Sequence, residues 1–176
     1  SSHTKKVANA IDDYKHLLDE QQNHPKINYA KYKILKSNKE LMSSEDKDIG
    51  PTIEIIKIYN NLDPSLIESK YINEIESIYE DARILLLKRT IYIANFYMDK
   101  NLGKYSFESA YKRIIESSEL IQDLIESSAE AQYIKLYSLF AIDPKVDKIL
   151  LLNNFASSFP SEDDYIQSLK SLLDVN

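Results

Sequence analysis

Apolar positions along this chain recur at helical spacing almost from its first residues. Val7, Ile11, Tyr14, Leu17 and Leu18 fall on one face of a helix predicted to end near Gln22, before Pro25. Ile27, Ala30, Ile34, Leu35, Leu41 and Met42 mark a second helix. The charged, unpatterned stretch 43–50 then acts as a connector. Pro51 suits the first turn of a third helix through Ile55, Ile58 and Tyr59, where its missing N–H costs nothing. Asp63-Pro64-Ser65, Asp143-Pro144 and Phe159-Pro160-Ser161 repeat the device, with Asp63 read as an N-cap.

Residues 65–99 contain no breaker, which predicts one helix of about 50 Å at about 1.5 Å per residue. Its first half has a single apolar face: Ile67, Tyr71, Ile75, Ile78, Tyr79 and Ala82. Its second half has two. Leu85, Leu86, Ile93, Phe96 and Tyr97 lie on one side and Ile84, Leu87, Ile91, Ala94 and Met98 on the other. That pattern predicts a helix sandwiched between neighbours, with Tyr92, Phe96 and Tyr97 chiefly core. Gly103 breaks it, and an apolar stripe from Phe107 to Ile125 forms the next helix. Ser127 and Glu130 stand at capping-box spacing for a helix through Ile134, Tyr137 and Phe140. Shorter helices over 144–157 and 161–173 complete the series.

The reading is therefore all-α: about eight helices joined by short connections, in the cadence of stacked helical hairpins of tetratricopeptide type, with one long helix near 65–99. Two glycines and five prolines in 176 residues agree with it, since a sheet protein rich in tight turns needs more of both. Residues 1–4 read as a vector-derived remnant, and 5–176 as a single helical-repeat domain truncated at its N-terminus.

Charge and residue chemistry narrow the function. A formal charge of -6, with no dense Lys/Arg cluster, leaves nucleic-acid phosphate without a basic field to meet. The chain has no cysteine, and neither His3, His16 nor His24 has a second ligand at metal-site spacing. Carboxylates such as Glu74/Glu76 and Glu162/Asp163/Asp164 fall on polar faces or helix starts, where no pocket shifts them toward acid–base work. Two glycines cannot build a phosphate-cradling loop. No catalytic, cofactor or metal site is expected, and some of the 13 tyrosines are expected to line a binding groove.

Four segments taken in order carry a more specific likeness: HPKINYAKYKIL (24–35), GPTIEIIKIY (50–59), RTIYIANFYMDK (89–100) and FPSEDDYIQSLKSLL (159–173). Together they resemble the BamD family, the tetratricopeptide-repeat lipoproteins of the outer-membrane β-barrel assembly machinery. The family's lipidated N-terminal cysteine is absent here. Its Lys-Arg-Gly turn reads MDKNLGKY, and the helix that follows is about seven residues longer, two helical turns. The resemblance implies a periplasmic scaffold, lipid-anchored to the outer membrane in its full-length form. Such a scaffold binds BamA through a POTRA domain, joins other lipoproteins of the machine, and helps deliver unfolded outer-membrane proteins. It also implies that Arg113 serves the BamA contact, with Tyr105, Phe96 and Tyr97 in its neighbourhood. The alternative is another helical-repeat adaptor that holds a peptide or partner helix in its concave groove.

Overall fold

The computed structural model describes residues 2–20, 26–42, 48–63, 65, 67–100 and 102–173, with the side chains of residues 2 and 3 outside that description. These residues form eight α-helices and no strand: α1 (Ser2–Glu20), α2 (Ile27–Leu41), α3 (Gly50–Asn60), α4 (Ser69–Asp99), α5 (Lys104–Ser127), α6 (Ala129–Ile142), α7 (Lys148–Ser158) and α8 (Asp163–Ser171). The all-α expectation and the helix count are met. The chain divides into two compact units, Ser1–Leu86 and Leu87–Asn176, and the division falls within α4.

In the first unit α2 packs against both α1 and α3. Ala30, Ile34, Leu35 and Asn38 of α2 repeat at i, i+4, i+5 and i+8, and all four are buried. Val7, Ile11 and Ile34 make a cluster joined by Tyr14, Leu18, Leu41 and Ile58. Asn38 keeps its place there because its side-chain amide donates to the Ile34 carbonyl at 3.0 Å, so no buried donor is stranded. Pro51 does sit in the first turn of α3, as expected.

In the second unit α6 is the central helix, packed against α5, α7 and α8. Ala110, Ile114, Ser117, Ile121 and Ile125 form the inward row of α5. Leu136 and Phe140 of α6 share a cluster with Leu152 and Phe155 of α7 and Ile166 and Leu169 of α8. Burying such side chains fully stabilises by about 1.5–3 kcal/mol each. The α5 helix is kinked at Ile121 (φ -137°, ψ 44°). Just beyond, the Gln132 amide of α6 donates to the Ile125 carbonyl at 2.9 Å, satisfying an acceptor in the last turns of α5.

Four expectations need correction. The long helix begins at Ser69, not residue 65: Asp63 Oδ1 accepts from both the N–H and the hydroxyl of Ser65, a local turn that competes with helix initiation. Pro64 itself lies outside the described residues, as do His24, Pro25 and residues 43–47 of the first connectors. Asp143 likewise accepts from the Lys145 N–H, and α7 starts later, capped by Asp147, whose carboxylate accepts from Leu150 N–H at 2.9 Å. The cap of α6 is Ser128 rather than Ser127, its hydroxyl accepting from Ala131 N–H at 3.2 Å.

The fourth correction concerns the second half of α4. A single buried seam runs along it at four-residue spacing, Ala82, Leu86, Thr90 and Ala94. The opposite face is open to solvent: Ile84, Tyr92 and Phe96 are 40%, 53% and 48% exposed. Small Ala and Thr side chains let a neighbour approach one face closely, while periodicity cannot tell whether a second apolar face has a neighbour at all. Tyr92 and Phe96 are surface, not core.

Candidate interaction surface

The exposed rings of the second unit gather around the turn from α4 to α5. Gly103 makes that turn at φ 65° and ψ -146°, a conformation that a side chain would strain, although a Cβ there would meet no atom within 4 Å. The requirement is conformational, not steric. The buried Ser106 hydroxyl then accepts from Leu102 N–H at 2.9 Å, and Ser106 N–H donates to the Gly103 carbonyl at 3.1 Å. This stitching holds Leu102 (61% exposed) and Tyr105 (65% exposed) out in solvent.

Phe96 and Tyr97 meet edge to face at 5.9 Å, and the Lys100 ammonium stands 4.4 Å from the Phe96 ring centre, a cation–π distance. Arg113 lies on the same helix as Tyr105, about 12 Å further along at about 1.5 Å per residue. Its guanidinium is partly exposed, 4.0 Å from Glu116, too long for a strong pair. Phe96, with Lys100 beside it, and the exposed Leu102 and Tyr105 thus flank the turn. Such a surface suits desolvated contact with a partner that brings apolar side chains and carboxylates.

Sequence reasoning did not single out a second aromatic cluster, in the first unit. Tyr29 and Tyr32 of α2 and Tyr71 of α4 line a cavity of about 400 Å³ with Lys26, Ile67 and Glu68. Tyr32 and Tyr71 stack at 4.4 Å, and Tyr29 is tilted 6.2 Å from each. Lysines cover the rings: Lys33 over Tyr29, Lys36 over Tyr32 and Lys70 over Tyr71, at 5.4, 5.6 and 4.7 Å. The Tyr32 hydroxyl donates to Glu74 at 2.5 Å, and Lys36 pairs with the other oxygen of that carboxylate at 3.0 Å. Burial, and then the hydrogen bond to Glu74, push the Tyr32 phenol up. The phenol's hydrogen bond and Lys36 hold Glu74 below its ordinary range. The readable signal was the i, i+3, i+4, i+7 run of Tyr29, Tyr32, Lys33 and Lys36 on α2.

His16 pairs with Glu20 on its own helix at 3.5 Å. Among the described residues no group of three or more His, Cys, Asp or Glu is placed to hold a metal ion, and no helix is long and apolar enough to cross a membrane. No protein-family model matches the chain, and no curated protein or solved structure matches it either.

Proposed function

We propose that this chain is a non-enzymatic helical scaffold of the BamD type, a periplasmic subunit of outer-membrane β-barrel assembly that docks a POTRA domain of BamA. The reading extends to the other lipoproteins of that machine and to unfolded barrel precursors as partners. The observation that carries it is the coincidence of two independent lines. The resemblance that the ordered segments carry points to Phe96, Tyr97, Tyr105 and Arg113, and along that same hairpin Phe96 and Tyr105 are exposed and Arg113 is loosely paired. Exposed aromatics beside arginine are the composition of binding hot spots.

The test is calorimetric titration of the chain with a POTRA-bearing BamA fragment. Arg113→Glu is expected to weaken binding by about 2–5 kcal/mol if the guanidinium meets a buried carboxylate. Phe96→Ala combined with Tyr105→Ala should lower affinity further while leaving the helical circular-dichroism signal intact. Absence of wild-type binding would sink the assignment.

A second reading, a peptide-holding adaptor outside that machine, is favoured by the tyrosine cavity of the first unit. It requires binding that is lost on Tyr71→Ala and indifferent to Arg113→Glu.

A further inference from the structure

The opposite side of α5 carries a separate groove. Tyr105 and Phe107 are two residues apart, about 200° around the helix, so the side that holds Phe107 faces away from Tyr105. Phe107 contacts Tyr137 of α6 at 5.7 Å between ring centres. Together with Phe140, Ala141 and Ile142 these rings floor a groove of about 540 Å³, closed by Pro144 and Leu172. The volume is in the range of about 300–1,000 Å³ that takes several apolar groups. Ala141 and Pro144 are exposed, so the floor is reachable.

The groove's charge says what can fill it. Among the described residues its lining includes two lysines, Lys104 and Lys148, and no carboxylate, on a chain whose formal charge is -6. The Lys148 ammonium is held at the rim by donating to the Leu172 carbonyl at 3.2 Å, and it stands 5.9 Å from the Phe140 ring. Lys104 is exposed and only 3.8 Å from Glu108, a loose pair. The neighbouring Asp147 spends its carboxylate on the α7 cap. Ile149 and Leu150, next along α7, are 64% and 55% exposed.

We infer that this groove docks an acidic amphipathic segment of a partner protein, one whose apolar row lies on Phe107, Tyr137 and Ala141 and whose carboxylates meet Lys104 and Lys148. This surface is independent of the proposed BamA contact, and either assignment stands without the other.

The probe is a synthetic helical peptide of about 15 residues, with Leu at i, i+4 and i+7 flanked by Glu, and a twin in which Lys replaces Glu. Fluorescence anisotropy with the full chain is expected to show the Glu peptide binding at least about tenfold more tightly than the Lys twin, and more weakly as salt rises. Ala141→Trp should fill the floor and abolish binding, Lys104→Glu should weaken it about tenfold, and Arg113→Glu should leave it unchanged. Circular dichroism verifies that each variant is folded. Three results would overturn the inference: equal binding of the two peptides, Glu-peptide binding that survives Ala141→Trp, or concentration-dependent self-association of the chain that Ala141→Trp removes, which would make a second copy the occupant.

Discussion

The two units hold their helices together with different chemistry. In the first, cross-helix ties include ion pairs, Lys15 with Glu54 at 2.8 Å, Lys36 with Glu74 at 3.0 Å and Lys39 with Asp81 at 2.5 Å, beside tyrosine hydroxyls donating to Glu74 and Asn60. In the second, they include neutral bonds, Thr90 with Ser117 at 2.6 Å and Tyr133 with Ser168 at 2.9 Å, beside the Asn95 amide donating to Glu130 at 2.9 Å. The pairs Lys104–Glu108, Lys112–Glu116 and Arg113–Glu116 lie within α5 and span 3.7 to 4.0 Å. Cations of the first unit are spent on cross-links and on covering tyrosine faces. Those around α5 are held loosely beside exposed rings, and for that reason the second unit offers the better docking surfaces.

The neutral tie is the place to break this contrast hardest. Thr90 and Ser117 are both buried and each satisfies the other across α4 and α5. Thr90→Val keeps the shape and strands the Ser117 hydroxyl, so a loss of about 1–3 kcal/mol is expected in urea unfolding. Adding Ser117→Ala should restore most of it, since removing both partners leaves nothing unsatisfied. A double variant no better than the single would mean the pair carries no specific bond.

The charged ties should show themselves through pH. Glu74 is held below its ordinary value of 4.5 by Tyr32 and Lys36, so the folded state binds fewer protons there than the unfolded chain. Its contribution is complete above pH 4.5 and is lost as pH falls through the lowered value. Tyr32 runs the other way: raised above 10.0, its contribution is present below that value and is lost as pH climbs through the folded one. Hydrogen exchange should therefore show α2 and the first turns of α4 loosening at both extremes, and Glu74→Gln should remove the acid step. Tyr32→Phe is expected to cost about 0.5–1.5 kcal/mol at neutral pH.

Much of the scaffold was legible because it rests on local rules. Apolar spacing counted the helices, and Pro51 marked a helix start because φ and the missing N–H act within one turn. The Asp-Pro sites misled because one Asp side chain can cap a helix or close a turn, and at Asp63 and Asp143 the turn wins. The surface was legible only in part. Tyr105 is exposed and Arg113 half-buried, and Tyr92 and Phe96 read as core yet lie on the surface, since burial of a second apolar face depends on a neighbour that helical periodicity does not encode. The tyrosine cavity joins residues 29, 32 and 71, which no window of helical period spans.

The smallest expected effect sharpens the contrast from the other side. Lys39 and Asp81 form the shortest cross-helix ion pair named here, but their side chains are 39% and 50% exposed. Water screens such a pair and two long side chains must be held still to make it, so Lys39→Ala is expected to cost only about 0.2–1 kcal/mol. The cost should shrink as salt rises, because the Debye length falls to about 3 Å at 1 M. The Thr90→Val loss should stay level under the same titration. If both lose the same fraction with salt, the division into a charged unit and a neutral one fails, and α4 carries one kind of tie along its whole length.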